Sequence, residues 1–323
     1  PNTPVLIGVG QVTEKDPELQ EASSPLDLMT QATEAAFADA GLSTELASDL
    51  DLLVVVRSFR EPMRNTPEAH AKRNGASKAE RFITPNGGNA PQYLVNRYSE
   101  AIAKGEMKFA LFTGSEAMAT GRKLVKSGVT PPWDIPSEED AVYLFPEVPM
   151  SSDHEKNHYI FAASSAYALF ENALRHHHGE TIEAHQKNLG ELFHRFTKVA
   201  ARSPHAWYPI ERSAEEIATA TPSNRYVGWP YTKFMNAMNQ INQSAALLLT
   251  SVEYARELGV DESKWIFLHG CADTTERLLI SDRVNYHSSP AIRIMGEETF
   301  KMAGLTIDDI DFIDLYSCFP SAV

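Results

Sequence analysis

An α/β fold assembled from two similar βαβ halves, with a long insertion in the first, is what this sequence predicts. Three observations carry that expectation. A buried strand, a helix and a second buried strand follow one another at the start of the chain. The same succession returns near the other end with several of the same letters. Between them lies a stretch of about a hundred residues, at positions 120–222, with a different texture.

Residues 5–12 (VLIGVGQV) are β-branched and apolar and give way to a polar loop, the signature of a buried strand. Ser24 then offers a side-chain cap, Pro25 suits the first helical position, and Leu28, Ala32, Ala35, Ala36 and Phe37 recur at helical spacing until Gly41. Residues 52–56 (LLVVV) form the next strand, so a parallel crossover is expected. Residues 91–104 read as a helix stopped by Gly105, and 109–113 (FALFT) as a third strand. The insertion opens on Pro131, Pro132, Pro136, Pro146 and Pro149 and then carries two helical patterns, at 161–177 and 181–201. Excursions of that length between strands often cover an active site. Residues 243–251 read as a strand before a helix at 252–258. In the second half, 265–269 (WIFLH) is an expected strand, 290–303 a helix and 312–316 a strand. Ala40-Gly41-Leu42 precedes Asp49-Leu50-Asp51-Leu52, and Ala303-Gly304-Leu305 precedes Asp309-Ile310-Asp311-Phe312, which reads as an internal duplication. The second half supplies fewer elements than the first, so its remainder is expected to lie outside these 323 residues.

Composition narrows the function. With 29 Lys and Arg against 43 Asp and Glu, the chain has a formal charge of −14, which disfavours nucleic-acid backbones and anionic lipid surfaces as main partners. A content of 43% hydrophobic residues fills a sizeable core. The longest apolar runs, at 52–56 and 245–249, are far short of the about 20 residues a membrane span needs. Cys271 and Cys318 make no disulfide framework and no basic, apolar leader opens the chain, so a reducing cytoplasm is the expected setting.

The run at 84–92 (TPNGGNAPQ) is rich in Gly and Asn and stands before a helix, where exposed amides could hold an anion or oxyanion. A tight turn that merely feeds the helix is the plainer alternative. A nicotinamide site is disfavoured, because neither a spaced GxGxxG nor a Walker pattern is present. His176-His177-His178 point in different directions on a helix and form no ligand set, so no metal is expected. His269 and Cys271 stand at a strand's C-terminal end, where α/β folds place ligands. Either they form a dyad or they are structural residues of the strand end.

Taken in order, the glycine-rich turn, Ala101-Ile102-Ala103-Lys104-Gly105-Glu106, the strand at 109–113 and Gly114-Ser115-Glu116-Ala117-Met118 resemble the thiolase superfamily and its "IxxGxxDxVxxGGxExM" succession. Residues 308–319 (DDIDFIDLYSCF) resemble the "DIDxxExxEAF" element and, more closely, the "HDCF" form found in sterol-carrier-protein-type thiolases. The resemblance covers most of the chain outside the insertion. It implies a layered α/β/α/β/α fold of duplicated halves: residues 1–119 and 223–260 as the N-terminal half, 120–222 as the inserted loop domain and 261–323 as a partial C-terminal half. It also implies an acyl-CoA ligand. The place of the family's nucleophilic cysteine falls near Gly88, and residues 86–92 contain no cysteine, so what the resemblance leaves there is a backbone oxyanion donor. The family's "GHPxG" and "CGGxG" elements belong beyond residue 323. Cys318 matches the HDCF cysteine, which is not the nucleophile, while Tyr316 takes the histidine place and Ser317 the aspartate place. Asn239 and Asn242 fall where the family places a loop that contacts coenzyme A, Lys233 lies close upstream, where it either meets the phosphates of coenzyme A or is an ordinary surface residue, and His269 remains a further catalytic candidate. In this it is similar to bacterial thiolase-like proteins of acetyl-CoA acetyltransferase type that lack the nucleophile. The expected function is therefore a weak or altered acyltransferase of lipid metabolism with acyl-CoA as substrate and no covalently bound cofactor. The alternative is a non-catalytic scaffold or subunit of an acyl-CoA-processing complex. A homodimer joined at a strand edge of the N-terminal half, or a partner subunit, is implied likewise.

Overall fold

Local signals start each element. In the computed structural model, which describes residues 1–60 and 62–323, strand β1 (Pro4–Thr13) leads to helix α1 (Pro25–Asp39). The Ser24 hydroxyl accepts the Asp27 amide at 3.1 Å and the Asp27 carboxylate accepts the Ser24 amide at 3.0 Å, a reciprocal box that satisfies two of the helix's orphan donors. There follow β2 (Leu52–Val56), α2 (Thr66–Asn74), β3 (Glu80–Ile83), α3 (Ala90–Ala103), β4 (Phe109–Ala117) and α4 (Met118–Lys126). The chain then forms α5 (Asp153–Asn157), α6 (Ala163–His177), α7 (Ile182–Ala200), α8 (Ala214–Ala218) and a ribbon of β5 (Tyr226–Gly228) and β6 (Tyr231–Thr232). It continues with β7 (Asn242–Ser251), α9 (Val252–Glu257), β8 (Ile266–Phe267) and α10 (Pro290–Ala303). Two compact units result: Pro1–Glu147 with Asn239–Cys271, and Val148–Met238 with Ala272–Val323.

The first unit is built on a six-stranded sheet in the order β3-β2-β4-β7-β1-β8. β2 pairs in parallel with β3 and β4, whereas β7 is antiparallel to both β4 and β1, and β8 is antiparallel to β1. β1 and β2 therefore run the same way, as a crossover requires, but with β4 and β7 between them. Both faces are covered, which is why the strand sequences read as unbroken apolar runs. Leu53 and Val55 face a core shared with Met29, Ala32, Ala36 and Phe37 of α1. Leu52 and Val54 face the other, with Leu94, Tyr98 and Ile102 of α3. Each of the Leu, Val, Ile, Met and Phe side chains among these contributes about 1.5–3 kcal/mol by leaving water. Gly10 lets α1 lie directly on β1: a Cβ there would stand 2.0 Å from the Ala32 carbonyl oxygen.

The second unit packs Ala168, Leu189, Ile217, Tyr231, Met235 and Phe319 into its own core. Glu155 is buried and accepts the amides of Ser281 at 2.8 Å and Ser152 at 2.7 Å, and these bonds hold its carboxyl down at about 2. The repeated letters at the two helix ends acquire a geometry here. Gly41 and Gly304 are both left-handed, at φ 72° and 68°. The Leu42 amide reaches back to the Phe37 carbonyl at 2.8 Å and the Leu305 amide to the Phe300 carbonyl at 3.1 Å, the same stop in both places.

Two expectations for the second half are corrected. The strand expected at 265–269 shortens to Ile266–Phe267, which pairs with Leu6 and Val5 of β1. The strand expected at 312–316 is not formed, and Phe312 is 92% exposed. An apolar run becomes a strand only where a neighbouring strand takes up its backbone groups, and no described residue does so for 312–316.

Candidate active site

The candidate site of the first unit lies at the C-terminal ends of the parallel strands β2 and β3, where open α/β sheets bind their ligands. β3 ends at Ile83, and the next residue, Thr84, is buried and donates its amide to the Val55 carbonyl at 2.9 Å. Its hydroxyl in turn accepts the Arg57 amide at 3.3 Å. Those two bonds fix the start of the turn that carries Gly88. Residues 86–89 are exposed, and the Ala90 amide closes the turn on the Gly87 carbonyl at 3.1 Å before α3 begins. Asn89 stands at the N-cap of α3 without a side-chain capping bond. A 14-residue helix thus presents its partly positive end, roughly half an elementary charge, at the turn. That end suits a developing negative charge on a carbonyl oxygen.

Residues after β2 complete this end of the sheet, and sequence reasoning had not singled them out. Glu116, at the end of β4, accepts the Phe59 amide at 2.5 Å. Ser58 is 8% exposed, and among the described residues its hydroxyl has no hydrogen-bond partner. Arg57 pairs with Glu147 at 3.3 Å, its guanidinium lying 5.6 Å from the centre of the Tyr143 ring. The available signal was positional: polar residues immediately after a fully buried strand run.

The other expected residues of this unit are Asn242, Asn239 and His269. Asn242 is fully buried; its Oδ1 accepts the Thr120 amide at 3.1 Å and its Nδ2 donates to the Thr120 hydroxyl at 2.9 Å and the Glu14 carbonyl at 3.3 Å. These bonds tie the start of β7 to α4 and to the chain after β1. Asn239 is exposed just before β7, whereas the expectation for His269 is corrected: it is exposed two residues after β8, which runs antiparallel to β1, so it and the half-buried Cys271 beyond it follow the strand out at the end of the sheet opposite the Gly88 turn.

Lys233 and Tyr316 belong to the second unit. Lys233 is exposed and donates its amide to the Arg225 carbonyl at 2.9 Å. Tyr316 is 69% exposed; its hydroxyl lies 3.3 Å from the Cys318 sulfur, and that hydrogen bond together with partial burial pushes the phenol up to about 12. Beside it Phe319 stacks on Tyr167 with ring centres 4.5 Å apart. Tyr231, fully buried, donates to Glu171 at 2.8 Å and lies 3.0 Å from the Ser321 hydroxyl; burial, then the Glu171 charge, raises its phenol. His185 stands between Glu171 at 2.8 Å and Glu180 at 2.5 Å. Of the consecutive histidines, His177 stacks on His287 at 4.2 Å, and among the described residues no group of three or more His, Cys, Asp or Glu could hold a metal ion. No helix among them is long and apolar enough to cross a membrane.

Against known proteins, no family profile matches the chain. Over its full length it is 35% identical to a monomeric SCP2-thiolase-like protein, type 1, from Mycobacterium smegmatis, with a TM-score of 0.82. The chain has a thiolase-like fold. It spans 62% of the mycobacterial protein's length. The thiolase-like chain also matches an Ltp2–ChsH2(DUF35) aldolase at 19% identity and a TM-score of 0.73, covering all of this chain and 75% of that one, a likeness of fold. An acetyl-CoA acetyltransferase of Methanocaldococcus jannaschii is 21% identical over 155 residues, 48% of this chain and 37% of that protein. The resemblance drawn from the turn, the 101–118 succession and the 308–319 element thus has its counterpart in the fold.

Proposed function

We propose that the thiolase-like chain binds acyl-CoA thioesters and belongs to the acyltransferase class, with an activity that is weak or altered because the turn at Gly88 offers amides but no thiol. One observation carries this reading: α3 starts without a side-chain cap, behind the Gly87-Gly88 turn and at the C-terminal ends of β2 and β3. In it, the Gly88 amide and the helix end polarise a thioester carbonyl, lowering the cost of charge on its oxygen. Polarisation alone does not take up the acyl group, since residues 84–92 contain no cysteine. His269 takes no part in this site, because it follows a strand antiparallel to β1 and so stands at the opposite end of the sheet from the Gly88 turn, and Tyr316 keeps only the place that the resemblance gives it in the second unit. Asn239 is the proposed contact for coenzyme A in the first unit, and for Lys233, of the second unit, the same proposal rests on the resemblance alone. Asn242, whose amide is engaged by Thr120 and Glu14, holds the strand from whose start the Asn239 loop departs. The division into an N-terminal half, an inserted loop domain and a partial C-terminal half is part of the same proposal, as are a cytoplasmic setting and a place in lipid metabolism.

The missing thiol favours a second reading, a non-catalytic subunit whose partner does the chemistry. The aldolase of similar fold, Ltp2–ChsH2(DUF35), in which a DUF35 protein is a partner, supports it. Calorimetric titration of the full-length protein with coenzyme A and acetyl-CoA, followed by intact mass spectrometry, separates the two. Binding with an acyl adduct or turnover supports the acyltransferase. Binding with neither supports the subunit, and no heat with either ligand sinks both.

A further inference from the structure

Ionisable side chains are seldom buried unless another group pairs with them, and the second unit buries a run of them that the proposed chemistry does not use. Five side chains are joined end to end. Glu180, in the link between α6 and α7, stands 2.5 Å from Nδ1 of His185 on α7, and Nε2 of His185 stands 2.8 Å from Oε1 of Glu171 on α6. The second oxygen of Glu171 accepts the Tyr231 hydroxyl at 2.8 Å, and the Ser321 hydroxyl lies 3.0 Å further on. The middle of the run is closed to water, since Tyr231, Glu171 and His185 are 0%, 2% and 6% exposed. Its far end is fastened to the segment 318–321, in which Phe319 stacks on Tyr167 and Cys318 packs on the same core.

The direction of each bond follows from its middle. A neutral imidazole donates from one nitrogen and accepts at the other, and only the imidazolium donates from both. With a carboxylate on either side, His185 closes the run only when it carries both protons. Glu171, ionised, then takes the one proton that Tyr231 can donate, so Ser321 is the donor to the Tyr231 oxygen. Other charged groups around the run are turned elsewhere. Arg175 of α6 donates to the Glu180 carbonyl at 2.9 Å, Arg283 lies 5.2 Å from the centre of the Phe170 ring, and Glu216 of α8, which packs on α7, is paired with Arg212. His178, after α6, acts on Glu180, and the titratable groups on the side of Phe319 are Tyr167, Tyr316 and Cys318.

We propose that His185 is a proton-operated latch on the segment 318–321: with both protons it closes the run and holds Ser321 and Phe319 against the second unit's core, and when one proton leaves, the buried Glu171 charge loses its cation and the segment is released. The sign follows from the closed state being the one that needs the proton. Above the carboxylate range the latch holds at low pH and loosens as pH rises. It concerns the order of this segment and stands whether or not the chain handles acyl-CoA.

Alkylation of Cys318 by iodoacetamide in the full-length protein tests it, read by peptide mapping so that Cys271 is counted separately. Each rate is divided by that of a synthetic peptide of residues 314–323 at the same pH, which cancels the thiol's own titration. Between about pH 6 and pH 9, a range that spans histidine titration, the ratio rises about tenfold in the natural protein, as the loss of one charge-assisted hydrogen bond requires. His185→Gln, which cannot carry the charge, reacts at the loosened rate throughout with no pH step. Tyr231→Phe, which cuts the run beyond the proton, loses the step as well. A flat ratio in the natural protein overturns the latch, and so does a step that survives in His185→Gln. Should His185→Gln lose the natural circular dichroism spectrum, Tyr231→Phe decides in its place, and a step that persists there overturns the proposal.

Discussion

His70 shows what a single residue does to the pH range of this fold. It is fully buried between α1 and α2, with its Nε2 3.1 Å from the Thr33 hydroxyl, and burial pulls the imidazole down to about 4. An unfolded chain takes up that proton near 6.5. Between those values the unfolded state holds more protons than the folded one, so stability rises with pH there and is lost as pH falls from about 6.5 towards 4. At about 1.4 kcal/mol per unit the full loss is about 3 kcal/mol. Urea midpoints at pH 7.5 and 4.5 should therefore fall less in His70→Gln than in the natural protein. Equal falls in both would refute the assignment. Nothing in the sequence marked this histidine, because its burial depends on two helices meeting over a sheet. The turn at Gly88 was legible for the opposite reason, since glycine and asparagine ahead of a helix are a local signal. Ser58 and Arg57 had only their place after β2 to announce them.

At the scale of elements, the contact of α1 with β1 is the tightest constraint. Gly10→Ala would put a methyl 2.0 Å from the Ala32 carbonyl and 2.7 Å from the Ala36 amide nitrogen, so the helix must lift from the strand. Overpacking of this sort costs about 1–3 kcal/mol, and backbone atoms yield less readily than side chains, so the upper end is expected. Thermal melts of Gly10→Ala check it; an unchanged melting temperature would mean that α1 does not rest on β1. Most elements could be read from sequence because each had a start or stop of its own: Ser24 and Pro25 for α1, Gly105 after α3, Gly304 after α10. β3 and α2 escaped notice, one being four residues long and the other polar on its exposed side. The run at 312–316 misled for a complementary reason: a strand is a property of two segments, and its letters describe only one.

For the molecule as a whole, the sequence pattern reached the fold class and the thiolase-like likeness, yet it did not foretell that 272–323 would group with 148–238 as a compact unit. That grouping follows from Phe319 and Ser321, which meet Tyr167 and Tyr231 far earlier in the chain. Elsewhere in the same unit the C-terminal segment buries little. α10 has no buried residue, and Ile313, Leu315 and Tyr316 are exposed along with Phe312. Phe312→Ser with Ile313→Ser should consequently change the melting temperature of this 323-residue chain little, since Phe312 stays 92% and Ile313 62% exposed. A marked drop would show that these residues pack in solution.

The matching helix stops at Gly41 and Gly304 also say where the two halves have been free to drift apart. After each stop the chain turns through a short 3₁₀ segment, six residues at Thr44–Asp49 and three at Ile307–Asp309, before the shared Asp-aliphatic-Asp step. The difference of three residues sits in this link, whose first part, 43–45, is exposed while Ala47 anchors the rest in the core, and in an exposed link added length costs only in proportion to its logarithm. Insertions there are the cheapest changes open to such a repeat, and engineered ones should be tolerated at 43–45 before they are tolerated at Ala47 or beyond.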